Sequence, residues 1–183
     1  MTKMTKIEGF KRRDLARKFK DLNLIEGVEI GVRTGKYSKV LCDENKDLHL
    51  YSVDPYIMGY EDVRAQQIGM EKQERFYQEA KKMLSPYNCE LIRKESLDAV
   101  KDFEYESLDF VYIDGNHQFD YVMCDIIEWA KRVKKGGIVA GHDYFRFRCA
   151  DVVDAVDIYA KIHKVDEIYL TDEKTPSWWF VRK

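Results

Sequence analysis

Residues 28–35, Val-Glu-Ile-Gly-Val-Arg-Thr-Gly, constrain the fold of this chain more than any other stretch. An apolar strand that carries Glu29 runs into a loop with glycines at Gly31 and Gly35. The next apolar run ends on another acid, Asp54. A glycine loop lets a ligand approach bare backbone, and an acid at the tip of the second strand can bind both hydroxyls of a ribose. These two strands therefore predict a binding site for an adenosine-containing cofactor.

The glycine spacing separates two classes of cofactor. Dinucleotide folds use G-x-G-x-x-G, in which the later glycines let a pyrophosphate sit at a helix N-terminus. Here the pattern from Glu29 to Gly35 is E-x-G-x-x-x-G, and the middle glycine is absent. The pattern resembles the first motif of class I S-adenosylmethionine-dependent methyltransferases, whose loop faces the methionine half of the cofactor. An ordinary strand-to-helix turn is the alternative interpretation of the same residues.

The remainder of the chain predicts alternating strands and helices. Apolar runs predict five strands, at 27–31, 48–53, 89–92, 108–113 and 138–141. Helical spacing predicts six helices, at about 8–22, 35–41, 71–84, 97–101, 119–133 and 151–163. Two last strands, 167–171 and 177–181, flank a predicted hairpin turn, and residues 134–137 are predicted as a turn whose lysines complement the end of the preceding helix.

Alternation of this kind predicts an α/β fold with a parallel sheet covered on both faces. The order of elements resembles the Rossmann-like, three-layer methyltransferase fold, in which a mostly parallel seven-stranded sheet ends in an antiparallel C-terminal hairpin. A dinucleotide-binding fold would usually end on a parallel sixth strand. The length of 183 residues predicts one domain, with an N-terminal helical cap at 1–24 and a core at 26–182.

Composition limits the partners and the compartment. The net charge of −2 gives no general attraction to nucleic acid or to an anionic membrane. No apolar run approaches the roughly 20 residues that span a bilayer. The four cysteines are scattered without a C-x-x-C pattern, which argues against a zinc knuckle or a disulfide framework and favours a reducing cytoplasm. The many basic residues of the first helix are interpreted as a solvated face, with a patch for an acidic substrate or nucleic acid as the alternative.

Polar residues follow the strands at the edge where open parallel sheets bind their ligands. The methyltransferase resemblance assigns six of them to the cofactor: Glu29, Gly31 and Gly35 to the methionine side, Asp54 to the ribose, and Glu95 and Ser96 to the adenine. Structural alternatives exist for four of these residues. Glu29 could cap a neighbouring helix, Asp54 could begin the Asp-Pro turn, and Glu95 and Ser96 could cap the helix that follows them, since Ser96 is a good N-cap residue.

Residues 108–144 contain Asp-Gly-Asn-His after the fourth strand and His-Asp-Tyr after the fifth. This segment closely resembles small class I methyltransferases with an Asp-Gly-x-His signature, a group allied to sugar and natural-product O-methyltransferases. The resemblance implies that Asp114 lies beside the methyl group and also borders the cofactor. It implies catalytic roles for Asp114, His117, His142 and Asp143, because a histidine can serve as general base for a hydroxyl.

Some relatives in this group bind a divalent cation through the acid after strand four and a pair of acids after strand five. Here that pair reads His142-Asp143, so one acid is replaced, which puts magnesium dependence in doubt. Asp114 and Asp143 could still hold a hard cation with waters, and the two histidines would favour a softer metal. The alternative is that the histidines only support the loops by hydrogen bonds.

These observations predict an S-adenosylmethionine-dependent methyltransferase that acts on an oxygen of a small molecule or sugar. The resemblance also implies that a nucleic-acid acceptor is not expected. Nucleic-acid amino-methyltransferases of the family usually carry Asn/Asp-Pro-Pro-Tyr after the fourth strand, and here Asp-Gly-Asn-His stands at that place. The alternatives are an NAD-dependent oxidoreductase or epimerase and a non-catalytic cofactor-binding protein with the same fold. Residues 55–70 are interpreted as a lid, and Arg146 with Arg148 as either a site for an acidic acceptor or a solvated loop. The oligomeric state is not predicted.

Overall fold

The computed structural model describes residues 2–57, 69–146 and 151–183. The strands in these ranges are β1 (Lys3–Lys6), β2 (Glu26–Ile30), β3 (His49–Val53), β4 (Cys89–Ile92), β5 (Leu108–Ile113), β6 (Val133–Gly141), β7 (Glu167–Leu170) and β8 (Trp178–Val181). The helices are α1 (Arg12–Asp21), α2 (Lys36–Glu44), α3 (Met70–Leu84), α4 (Ser96–Ala99), α5 (Phe119–Ala130) and α6 (Val152–Ile162). None of these helices is long and apolar enough to cross a membrane.

The strands form one sheet in the order β1-β7-β8-β6-β5-β2-β3-β4. Only β8 runs antiparallel to its neighbours β6 and β7, and every other pair is parallel. The predicted α/β sheet with an antiparallel C-terminal hairpin is therefore confirmed. The sheet has eight strands where the sequence predicted seven, because Lys3–Lys6 pairs in parallel with Glu167–Leu170. The segment predicted as a helical cap thus contributes a strand as well as α1.

Alternating side chains on β5 explain why helices cover both faces of the sheet. Phe110 and Tyr112 pack in a buried cluster with side chains of α1 and α2. Val111 and Ile113 point to the opposite face and pack with side chains of α5 and α6. Successive residues of a strand face opposite sides of a sheet, so a strand that is apolar at four successive positions, 110–113, must be covered on both faces. The three layers of the fold are thus the sheet and the helices on each of its two faces.

The prediction of a turn at residues 134–137 is wrong. These residues lie inside β6, which begins at Val133. Leu108 pairs with Val133 and Phe110 pairs with Ile138, so four residues of β6 stand opposite a single residue of β5. The result is an irregularity within the strand, and Lys134 forms an ion pair of 2.7 Å with Asp109 of β5 instead of capping α5.

Candidate active site

The glycine loop at residues 31–35 is shaped by close approach of other parts of the protein. Gly31 has φ of +88°, and a Cβ added to it would lie 2.1 Å from the backbone oxygen of Asp114. Gly35 has φ of +78°, and its Cβ would lie 3.2 Å from the side chain of Leu84. The sequence predicted that these positions leave bare backbone for a ligand. In the structure, other residues of the protein occupy the space next to the Cβ positions of both glycines, and the loop contacts the end of β5 directly.

Asp54 lies at the end of β3, as predicted, and its carboxylate holds the glycine loop. Oδ2 accepts hydrogen bonds from the backbone N–H groups of Val32 at 2.9 Å and Arg33 at 2.8 Å, and Oδ1 accepts one from Tyr56 at 2.9 Å. Burial raises the pKa of Asp54, and these backbone hydrogen bonds oppose the rise. A carboxylate has about four acceptor positions, so about one is left for a ribose hydroxyl.

Glu29 is buried against α2. It is 1% exposed, and the hydroxyl of Ser38 donates a hydrogen bond to its Oε2. Burial raises the pKa of Glu29 to about 8, although the Ser38 hydrogen bond and the charge of Arg12 oppose this. The side chain therefore contacts α2, the helix that follows the glycine loop, through the hydroxyl of Ser38 within that helix.

The pair Glu95 and Ser96 is divided between two environments. The Ser96 hydroxyl donates to Oδ1 of Asp125 at 2.5 Å and accepts from Nε1 of Trp129 at 2.8 Å, both on α5. Burial raises the pKa of Asp125 to about 7, and the hydrogen bond from Ser96 opposes it. Glu95 precedes α4 and is exposed. Because the Ser96 hydroxyl is directed at α5, Glu95 is the exposed member of the pair.

Four groups from the ends of β5 and β6 meet at one place. Nε2 of His117 lies 2.8 Å from Oδ2 of Asp143, and Nδ1 of His142 lies 3.2 Å from the same oxygen. Oδ1 of Asp114 lies 3.9 Å from the His117 nitrogen and 3.8 Å from the His142 nitrogen. The sequence predicted that these strand ends converge, and the structure brings the four side chains together. We call this set the histidine–aspartate cluster.

Asp143 is the centre of the histidine–aspartate cluster. Its φ of +55° is uncommon for a residue other than glycine, and such conformations persist only where the surroundings hold them. Burial disfavours ionisation of Asp143, but hydrogen bonds and charge from His117 and His142 lower its pKa below the ordinary value. The nitrogens that face the carboxylate are Nε2 of His117 and Nδ1 of His142, and a hydrogen on Nδ1 of His142 would leave Nε2 as the acceptor atom of that ring.

Arg12 is a member of this region that the sequence analysis assigned to a solvated face. Its Nη2 lies 2.6 Å from Oδ2 of Asp114. Its Cζ lies 3.7 Å from the centre of the Tyr37 ring. A signal for this position does exist, because Arg12 precedes Leu15 and Phe19 by three and seven residues and so lies on the apolar stripe of α1.

The donor atoms of the cluster fit magnesium poorly. Asp114, His117 and Asp143 each offer one donor atom, and these three atoms lie within 4.8 Å of one another. However, Asp114 is already ion-paired with Arg12, and Oδ2 of Asp143 already lies within 3.2 Å of a nitrogen of each histidine. Magnesium prefers carboxylate oxygens and waters in octahedral geometry, whereas imidazole suits softer metals.

Two predicted features lie largely outside the described residues. Most of the predicted lid, 58–68, and Arg148 belong to the ranges that are not described. Arg146 is described and forms an ion pair of 2.9 Å with Asp154 at the start of α6. This contact agrees with the interpretation of Arg146 as part of a solvated loop.

Comparisons with known proteins agree with this architecture. The model of a family described as a methyltransferase domain matches residues 28–144. A search of curated proteins finds no match. An O-methyltransferase from Bacillus cereus, solved in complex with SAH, has a TM-score of 0.68 at 14% identity, with 93% of this chain and 80% of that chain covered.

Two further structures show how widely the fold is shared. The O-methyltransferase TomG from Streptomyces achromogenes, involved in tomaymycin synthesis and solved with SAM, has a TM-score of 0.64 at 14% identity, covering 94% of this chain and 78% of that one. An rRNA methylase from Streptococcus thermophilus has a TM-score of 0.65 at 14% identity, covering 96% and 99%. At such low identities the likeness shows the fold alone.

Proposed function

The chain belongs to the methyltransferase-domain family, and on that premise we propose that it transfers a methyl group from S-adenosylmethionine to a hydroxyl oxygen of a small molecule or sugar. The observation that carries the proposal is the convergence of Asp114, His117, His142 and Asp143 beside the glycine loop. Structural neighbours in complex with SAH or SAM support the choice of cofactor.

The residues around the glycine loop fit this cofactor. Asp54 keeps about one acceptor position for a ribose hydroxyl, and Glu95 is exposed after β4 for the adenine. We assign the methionine side to the backbone of the loop between Gly31 and Gly35. Glu29 and Ser96 support the two loops from inside, through their contacts with α2 and α5.

His142 is the general base in this proposal. Bound S-adenosylmethionine supplies a methyl group made electrophilic by its sulfonium sulfur. Asp143 would hold the hydrogen on Nδ1 of His142, which would leave Nε2 free to accept the proton of the acceptor hydroxyl as that oxygen becomes a nucleophile. Asp143 then stabilises the imidazolium, as a carboxylate does when it orients a histidine base.

His117 and Asp114 have positioning roles in this scheme. Nε2 of His117 is buried and directed at Asp143, so this histidine fixes the carboxylate that orients His142. Asp114 lies at the end of β5, against the backbone of Gly31, and therefore connects the cofactor loop to the cluster.

Cys42, Cys89 and Cys124 are free thiols, which supports a cytoplasmic location.

Calorimetric titration with S-adenosylhomocysteine, beside NAD, tests the cofactor class. We expect binding of S-adenosylhomocysteine and none of NAD, with weaker binding in Asp54→Asn, because the loop and the ribose site both use this carboxylate. His142→Gln should bind the same ligand as well as the wild type does. Binding of NAD alone would refute the proposal and favour an oxidoreductase.

A screen of sugars and small hydroxylated compounds then tests catalysis, with and without Mg²⁺. Loss of a general base reduces turnover by about 10²- to 10⁴-fold, so His142→Gln should lose activity to that extent and His117→Gln should lose less. The opposite order would move the base to His117. If the protein binds S-adenosylhomocysteine but methylates none of the acceptors, the non-catalytic alternative is favoured.

A further inference from the structure

A side chain of the protein supplies the positive charge next to the Asp114 carboxylate. Arg12 Nη2 lies 2.6 Å from Oδ2 of Asp114, and the two side chains are 23% and 19% exposed. The methyltransferase resemblance implies that some relatives hold a divalent cation beside the acid at this position. We propose that the guanidinium of Arg12 is a built-in cation that takes the place of a divalent metal at the histidine–aspartate cluster.

The guanidinium is held in place from several sides. Its Cζ lies 3.7 Å from the centre of the Tyr37 ring and 5.0 Å from that of Tyr112, where an aromatic face attracts a cation. The Tyr37 hydroxyl donates to the backbone oxygen of Arg12 at 3.2 Å. The backbone N–H of Arg12 donates to Oε2 of Glu173 at 2.8 Å. Arg12 is therefore fixed at both its backbone and its side chain.

The N-terminal segment that leads into α1 is fastened to the β7–β8 connection. Lys6 forms an ion pair of 2.5 Å with Asp172, and the N–H of Gly9 donates to the same carboxylate at 3.1 Å. The N–H of Asp172 in turn donates to the backbone oxygen of Phe10 at 2.6 Å. These contacts fix the start of α1 over the carboxyl end of the sheet, which is where Arg12 meets Asp114.

A metal ion at this place would have to overcome two obstacles. An ion held by Asp114, His117 and Asp143 would lie close to the guanidinium, and like charges repel strongly in a partly buried site. A metal ion between these groups would also have to displace the close contacts that Oδ2 of Asp143 makes with His117 at 2.8 Å and His142 at 3.2 Å. With Arg12 present, both carboxylates already have partners.

Titration with Mn²⁺ alone, followed by the electron paramagnetic resonance signal of the free ion, tests this proposal. Wild type should leave the Mn²⁺ signal unchanged into the millimolar range. Arg12→Met removes the charge and keeps the length of the side chain, and it should bind Mn²⁺ at least ~10-fold more tightly. Adding Asp143→Ala to Arg12→Met should abolish this binding. Arg12→Lys keeps the charge and should resemble the wild type.

Arg13→Met is the matched control, because Arg13 is on the same helix, 61% exposed and paired with Glu44. If Arg12→Met does not fold, Arg12→Gln takes its place. Two results would overturn the proposal: Mn²⁺ binding by the wild type that Asp143→Ala abolishes, or no gain of binding in either charge-free variant. This inference rests on the proposed function only in assigning a catalytic role to the histidine–aspartate cluster. The Mn²⁺ titration itself requires neither the cofactor nor a methyl acceptor. Its failure is thus distinct from a failure to bind S-adenosylhomocysteine.

Discussion

The space behind Gly31 leads to a quantitative prediction for Gly31→Ala. The residue has φ of +88°, and the new Cβ would lie 2.1 Å from the backbone oxygen and 2.5 Å from the carbonyl carbon of Asp114. A left-handed conformation costs about 1–2 kcal/mol for a residue with a Cβ. Overpacking adds about 1–3 kcal/mol, and here the obstacle is backbone, which cannot rotate away. We therefore expect a loss of about 2–5 kcal/mol of unfolding free energy, less about 0.4–1 kcal/mol for the stiffer unfolded chain.

Gly136→Ala separates the two contributions. Gly136 has φ of +82°, nearly the same as Gly31, but among the described residues no atom beyond its own chain neighbours lies within 4 Å of its Cβ position. The conformational penalty and the change in the unfolded chain are shared by the two variants and cancel in their difference. The difference in unfolding free energy between Gly31→Ala and Gly136→Ala should therefore equal the overpacking contribution, about 1–3 kcal/mol.

Urea denaturation followed by tryptophan fluorescence measures this difference. Trp129, Trp178 and Trp179 are fully buried, so their emission reports unfolding of the sheet and its helices. The slope with urea should be the same in both variants if only the native state is altered. If Gly31→Ala is no less stable than Gly136→Ala, the approach of Asp114 is not what requires glycine in the loop.

Three further predictions concern single side chains. Tyr56→Phe should leave the melting temperature unchanged or raise it, because the Tyr56 hydroxyl is buried with no hydrogen-bond partner among the described residues and such a group is costly; a lower melting temperature would contradict this. Burial raises the pKa of Asp125 to about 7, above its unfolded value of about 3.9, so its contribution to stability is complete below pH ~4 and is lost as the pH rises through ~7. The unfolding free energy of wild type relative to Asp125→Asn should therefore fall over this range, and a constant difference would disprove the assignment. Glu173→Ala removes the acceptor for the Arg12 N–H at the start of α1 and should cost ~0.5–2 kcal/mol in urea, whereas exposed Glu8→Ala should cost almost nothing; equal losses would show that Glu173 does not cap α1.

The parts of the fold that the sequence predicts are those encoded by local periodicity. Apolar runs and helical spacing place β2 to β8 and the helices to within a few residues. β1 was missed because Lys3–Lys6 carries two lysines in four residues and pairs with a strand more than 160 residues away. The error at residues 134–137 has a similar cause. Glycines and lysines suggest a turn locally, but Val133 and Ile138 on either side pair with β5, and Gly136 and Gly137 form backbone hydrogen bonds with Arg182 next to β8.

Prediction of the candidate site from the sequence is limited in the same way. The convergence of Asp114, His117, His142 and Asp143 follows from topology, because the carboxyl ends of adjacent parallel strands meet at one edge. The sequence does not show that Asp54 is already engaged by three backbone N–H groups. Nor does it show that Arg12 is the basic residue of α1 that pairs with Asp114. Both facts depend on contacts between segments that are far apart in the chain.

The position of β8 also determines when the sheet can be completed during folding. β7 and β1 connect to the rest of the sheet only through β8, which is formed by residues 178–181. Until those residues pair, β6 is an open edge, and open edges invite association with other chains. Pairing of such distant segments is intrinsically slow. The insertion of β8 buries Trp178 and Trp179 to 0% and 1% exposure, so the step that joins the two parts of the sheet also buries two of the largest apolar side chains.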